Sequence, residues 1–181
     1  MKMARYLKTT TADPDEVAPM LWGPSAEANR DAGAPDGRHG VILEQYKLYV
    51  EMADRVSARR GLTNTFFLSL NTLIATAAGV VWKDRSALEV WYLSVPLAAL
   101  LLQCVAWFWL LRSYRQLNSA KYVVVGALED RLSASPWRSE WKALGEGRDP
   151  SRYWPLTHLE QWIPVSFGVV YVAGFVIAAL A

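Results

Sequence analysis

Apolar and polar positions along the chain are segregated into three long apolar runs and the polar stretches around them. The first run, Leu62 to Trp82, carries no charged side chain. It is about 20 residues long, enough helix to cross the hydrocarbon core of a bilayer. Its polar residues are sorted. At about 100° per residue, Thr65, Ser69, Thr72, Thr76 and Gly79 share one face, and Asn64, Asn71, Ala75 and Ala78 line the face beside it. Phe66, Leu70, Leu73, Ile74, Ala77, Val80 and Val81 fall on the opposite arc, and Leu68 breaks the pattern. One side suits lipid; the other suits protein or water.

Before this run, Val41, Ile42, Tyr46, Tyr49, Ala53 and Val56 recur at helical spacing, with Glu44, Lys47, Glu51, Asp54, Arg55 and Arg59 on the other side. Lys47–Glu51 and Glu51–Arg55 are candidate i,i+4 ion pairs. No proline separates the two segments, so the pattern predicts one helix over about 41–82, amphipathic over 41–60 and apolar over 62–82. The short polar turn Lys83-Asp84-Arg85-Ser86 then predicts an antiparallel hairpin with a second span over 88–111. Pro96 in its first half is a candidate kink, and Pro96, Ala99, Gln103 and Trp107 share a face.

Polar character returns over 112–160. A helix is expected over 113–132, with Leu117, Val124, Leu128 and Leu132 among its apolar positions, then a short helix over 137–144 and a loop over 145–150. A third span follows over 162–181, with Pro164 in its first turn and Gly174 and Ala178 as a small-xxx-small pair. Residues 1–40, rich in Pro, Gly and Asp, read as a flexible arm whose stretches 13–15 and 31–37 hold no helix, with Met20-Leu21-Trp22 an apolar island able to make a transient contact. The arm carries no apolar stretch of the kind that forms a cleavable signal. Residues 41–181 read as a single membrane domain.

Charge fixes the expected orientation. Arg55, Arg59 and Arg60 precede the first span and Arg112, Arg115 and Lys121 follow the second, whereas the turn between them holds Lys83 and Arg85. The positive-inside rule then places the N-terminus and 112–160 in the cytoplasm and the C-terminus outside. Arg55, Arg59, Arg60, Arg112 and Arg115 are candidate contacts for lipid headgroups or simple cytosolic flanks. Four of the nine tryptophans, Trp82, Trp91, Trp109 and Trp162, sit near the ends of runs, where aromatic belts lie.

Catalytic chemistry is not indicated. No Gly-rich phosphate loop or nucleophile elbow is present, and Cys104, the single cysteine, reads as a packing residue in the second span. His158, Glu160 and Glu146 are too poorly disposed to predict a metal site, and no cofactor is expected. A net charge of +2 does not point to nucleic acid. The interiors of the spans carry no charged side chain, which argues against a pump. What remains is uncharged polarity: Asn64, Thr65, Ser69, Asn71, Thr72 and Thr76 on the first span, Gln103 on the second, Ser166 and Tyr171 on the third. These either pack helices together or line a water-filled path in an oligomer; three spans alone cannot enclose a wide pore.

The stretches 44–60, 64–72 and 114–122, together with Glu140-Trp141 and Thr157-His158-Leu159-Glu160, resemble a family of small bacterial multi-pass membrane proteins of the 8xMP type, similar in style to the SLATT membrane modules. The resemblance covers about 41–165. It implies an effector or accessory of a prokaryotic conflict system that perturbs the inner membrane when a partner is triggered, and it brings no catalytic residues. The expectation is therefore a non-enzymatic, all-α integral membrane protein, homo-oligomeric in the bilayer, acting as a membrane-perturbing or pore-forming effector. The alternative is a membrane anchor or scaffold that docks a cytosolic protein partner. A small-molecule transporter lacks the inverted repeat and charged sites expected of it.

Overall fold

The computed structural model describes residues 12–23, 35–83, 90–153 and 156–180, and these are helical nearly throughout. The helices are α1 (Pro14–Leu21), α2 (Pro35–Lys83), α3 (Ser94–Glu129), α4 (Pro136–Ala143) and α5 (Leu156–Leu180), with 3-10 turns at Val90–Leu93 and Gly145–Gly147. Three of them are long and apolar enough to cross a membrane.

Several boundaries differ from the pattern-based expectation. The arm does hold helix: α1 starts on Pro14, whose fixed φ suits the first helical position, with the Asp13 carboxylate accepting from the Asp15 amide at 3.0 Å. Likewise α2 begins at Pro35 and runs through Gly37 and Gly40 before the apolar run, without a break at Gly61. The second span and the polar helix after it form one helix, α3. Pro96 lies in the first turn of α3, so no mid-helix kink is needed. Pro164 instead lies two turns inside α5. The turn at 84–87 and Trp154-Pro155 lie outside the described residues.

The chain divides into two compact units. One comprises residues 1–57 and 114–155, the other 58–113 and 156–181. In the first unit, Ile42, Ala53 and Val56 of α2 are buried with Val125, Ala127 and Leu128 of α3. The α2 face is the predicted one except for Val41, which is exposed. On α3, Leu128 is buried as expected and Val124 and Leu132 are half-buried, whereas Leu117 is exposed and Val125, not among the expected positions, is buried. Lys47 pairs with Glu44 at 2.8 Å rather than with Glu51. That places the carboxylate N-terminal to the ammonium, the better order along a helix. Arg55 pairs with Glu51 at 2.7 Å, as the spacing predicted.

In the second unit, Phe67, Trp107 and Leu111 form the core, with Ile163 and Phe167 packed against them. Phe67 and Trp107 stack at 5.7 Å, and Phe167 bridges Trp107 and Tyr171 with ring centroids 6.1 and 5.9 Å away. Close approach of α5 to α3 occurs at Gly168, where an added Cβ would stand 3.7 Å from Leu101 Cδ2. Gly174 faces open space. The expected small-xxx-small pair is thus not what joins the helices inside the protomer. Trp91 and Trp162 are exposed, as belt residues should be.

Candidate functional site

The polar stripe of the first span splits in two. Its asparagine half is internal. Asn71 is fully buried, donates from Nδ2 to the Phe67 carbonyl at 2.7 Å, and accepts the Tyr171 hydroxyl at 2.8 Å. Cys104 Sγ lies 4.0 Å from Asn71 Oδ1. Gln103 is buried too and donates to the same Phe67 carbonyl at 3.2 Å. One turn away, Asn64 accepts the Trp107 indole N–H at 2.9 Å. The faces on α2, α3 and α5 thus meet in a seam of matched donors and acceptors. Such pairing is what lets polar groups sit where water is absent.

The hydroxyl half is external. Thr65, Ser69, Thr72 and Thr76 are all exposed. Thr65 and Thr72 each donate to the carbonyl four residues earlier, Gly61 at 3.2 Å and Leu68 at 2.9 Å, which hides their polarity along the helix. Phe67, at the centre of the internal face, was not assigned from periodicity. Leu70 and Ile74, expected to face lipid, are half-buried. The internal line therefore runs Asn64, Phe67, Asn71, Ile74, Ala78, one position off the hydroxyl stripe.

The basic flanks also separate. Arg55 and Arg59 are exposed. Arg60 Nε stands 3.1 Å from Glu160 Oε2 in a mostly buried ion pair. Arg112 is buried. Arg115 is half-buried. Glu160 is thus engaged by an arginine, and Glu146 lies 3.5 Å from Arg148 in the other unit. The side chain of His158 lies outside the described residues.

A second polar centre, in the first unit, was not visible in the pattern. Glu129 is fully buried and accepts the Tyr46 hydroxyl at 2.9 Å and the amides of Trp137 and Arg138 at 2.8 and 3.0 Å. With Pro136 at the first position of α4 and Ser135 making no side-chain cap, Glu129 serves as the cap from another helix. Trp137 stacks on Tyr122 at 4.2 Å, Lys121 lies over the Tyr49 ring, and Arg131 covers the Trp22 ring at 4.6 Å. Of the island at 20–22, Trp22 therefore has a place in its own unit, while Met20 is exposed.

Burial, then the hydrogen bond to Glu129, pushes the Tyr46 phenol from its usual 10 up to about 12. The folded state thus holds this proton more tightly than the unfolded chain. The stabilisation is complete below pH 10 and is lost as pH rises through about 12. A Tyr46→Phe variant should show a shallower loss of melting midpoint than wild type between those limits; parallel profiles would refute the coupling.

A helical protein with three spanning segments and an internal polar seam is a multi-span integral membrane protein. The chain belongs to the octameric membrane protein family (8xMP), whose model matches residues 43–180. The match extends beyond the stretch 41–165 that carried the resemblance, through the third span. The family is octameric by name. No curated protein and no solved structure matches the chain.

Proposed function

We propose that this protein is a non-enzymatic, homo-oligomeric membrane effector or accessory of a bacterial conflict system, seated in the inner membrane with its N-terminus cytoplasmic, which perturbs or permeates the bilayer when triggered. One observation carries this reading. The hydroxyl stripe Thr65, Ser69, Thr72, Thr76 is exposed, with Thr65 and Thr72 bonding only their own helix among the described residues, whereas Asn64 and Asn71 beside it bond side chains of the other spans. In an assembly of eight copies, an unused polar face on a spanning helix has a natural place against the shared axis. The basic flanks supply the orientation. The conflict-system role rests on the family resemblance.

A second reading has its own support. Thr65 and Thr72 bond their own helix backbone, so the stripe is compatible with lipid. A non-conducting anchor that docks a cytosolic partner through 41–60 and 112–160 then needs no water path.

Leakage of dye and ions from liposomes holding the purified protein separates the two. Thr72→Leu and Thr76→Leu change the exposed stripe without touching the seam. If the stripe lines a path, leakage falls at least several-fold in both while the oligomer persists. Unchanged leakage in both variants, or none from the triggered wild type, leaves the anchor.

A further inference from the structure

Arg112 directly follows Leu111, a core residue of the membrane unit. It is only 6% exposed, and its Nε and Nη2 are buried without a hydrogen-bond partner. A guanidinium stripped of water needs an acceptor and a counter-charge, and leaving it alone is strongly destabilising. Among the described residues no acceptor meets either nitrogen, Glu160 Oε2 included, which is itself buried without a hydrogen bond. Glu160, near the start of α5, lies against Arg60.

A second copy is poorly equipped to supply it. Near this end of the three spans, the acidic residue closest in sequence to the first is Asp54, eight positions before Leu62, and the one closest after the second is Glu129. Glu129 is itself buried and engaged. The mostly buried charges Arg60, Arg112 and Glu160 therefore leave one positive charge over. A lipid headgroup of net negative charge carries the complement: a phosphodiester not balanced by a cation of its own, whose oxygens match the fork of a guanidinium.

We infer that Arg112 is a binding site for the phosphate of an anionic lipid headgroup, which completes the charge layer formed with Arg60 and Glu160. The inference is independent of whether the oligomer conducts.

The full-length protein in nanodiscs tests it. Wild type should gain melting temperature as phosphatidylglycerol replaces phosphatidylcholine, and retain this lipid through delipidation on the order of tenfold better than Arg112→Gln, the scale of one charge-assisted contact. In pure phosphatidylcholine, whose phosphodiester is already neutralised by its own choline cation, Arg112→Gln should be at least as stable as wild type, because the buried charge goes without loss of a net anionic partner. Arg148→Gln, at an exposed arginine outside the candidate headgroup contacts, should keep the wild-type lipid response. Inorganic phosphate added in detergent should leave the midpoint unmoved; a rise there overturns the lipid assignment in favour of a soluble anion. A wild type indifferent to phosphatidylglycerol sinks the inference whether or not the variant folds. So does an Arg112→Gln variant with the full wild-type response. Dissociation of the oligomer by Arg112→Gln, with no lipid response in wild type, would instead assign the acceptor to a neighbouring copy.

Discussion

Glu129→Ala should destabilise the unit formed by 1–57 and 114–155 by roughly 3–5 kcal/mol, the scale expected when several charge-assisted hydrogen bonds are lost together. The carboxylate holds three donors, the Tyr46 hydroxyl and the Trp137 and Arg138 amides. The two amides belong to the first turn of α4, where no intrahelical acceptor exists. A negative charge there also opposes the positive end of the helix dipole. Alanine orphans all three donors and leaves a cavity. Glu129→Gln keeps the shape but removes the charge and turns an N–H₂ group toward donors, so an intermediate loss is expected. Denaturant midpoints and hydrogen exchange at Trp137 and Arg138 measure this directly. If both variants unfold with the wild-type midpoint, Glu129 is not the fastener of α4.

Why this centre escaped the sequence while much else did not follows from the range of the interactions. Ile42, Tyr46, Tyr49, Ala53 and Val56 announce their shared face because a helix repeats locally. Tyr46 and Glu129 are 83 positions apart, and no local periodicity links them. The caps are a different case. Asp13 before Pro14 is a legible start signal, masked by the Pro, Gly and Asp content of the arm. On the first span, sorting of the polar residues was legible, but two adjacent stripes are separated by only one position. Which of them turns inward depends on the Trp107 indole, the Tyr171 hydroxyl and Gln103. Those partners stand on other helices. Arg112 shows the same limit: in the sequence it is one flanking arginine among several, and only its packing sets it apart from Arg55.

Asn71→Leu should be the most damaging single change in the membrane unit, at roughly 2–4 kcal/mol, because it both orphans polar groups and overpacks the seam. Asn71 is fully buried. Leucine cannot accept the Tyr171 hydroxyl, and it withdraws the shorter of the two side-chain donors on the Phe67 carbonyl, leaving Gln103 at 3.2 Å. Its branched end must also fit where a planar amide sat. In lipid, no water enters to replace the lost partners. An intramembrane hydrogen bond contributes only ~0.6 kcal/mol on average, so most of the loss should come from the orphaned Tyr171 hydroxyl and the packing strain. That partition is testable. Adding Tyr171→Phe removes the orphan, so the double variant should be less damaged than the sum of the two singles. Thr72→Leu, one residue on but facing outward, should fold like wild type. Equal melting of Asn71→Leu and Thr72→Leu would mean that the asparagine stripe is not the packed side. Leakage lost in Asn71→Leu alone would then report a damaged fold rather than a lined path, which makes the Thr72 and Thr76 variants the decisive pair.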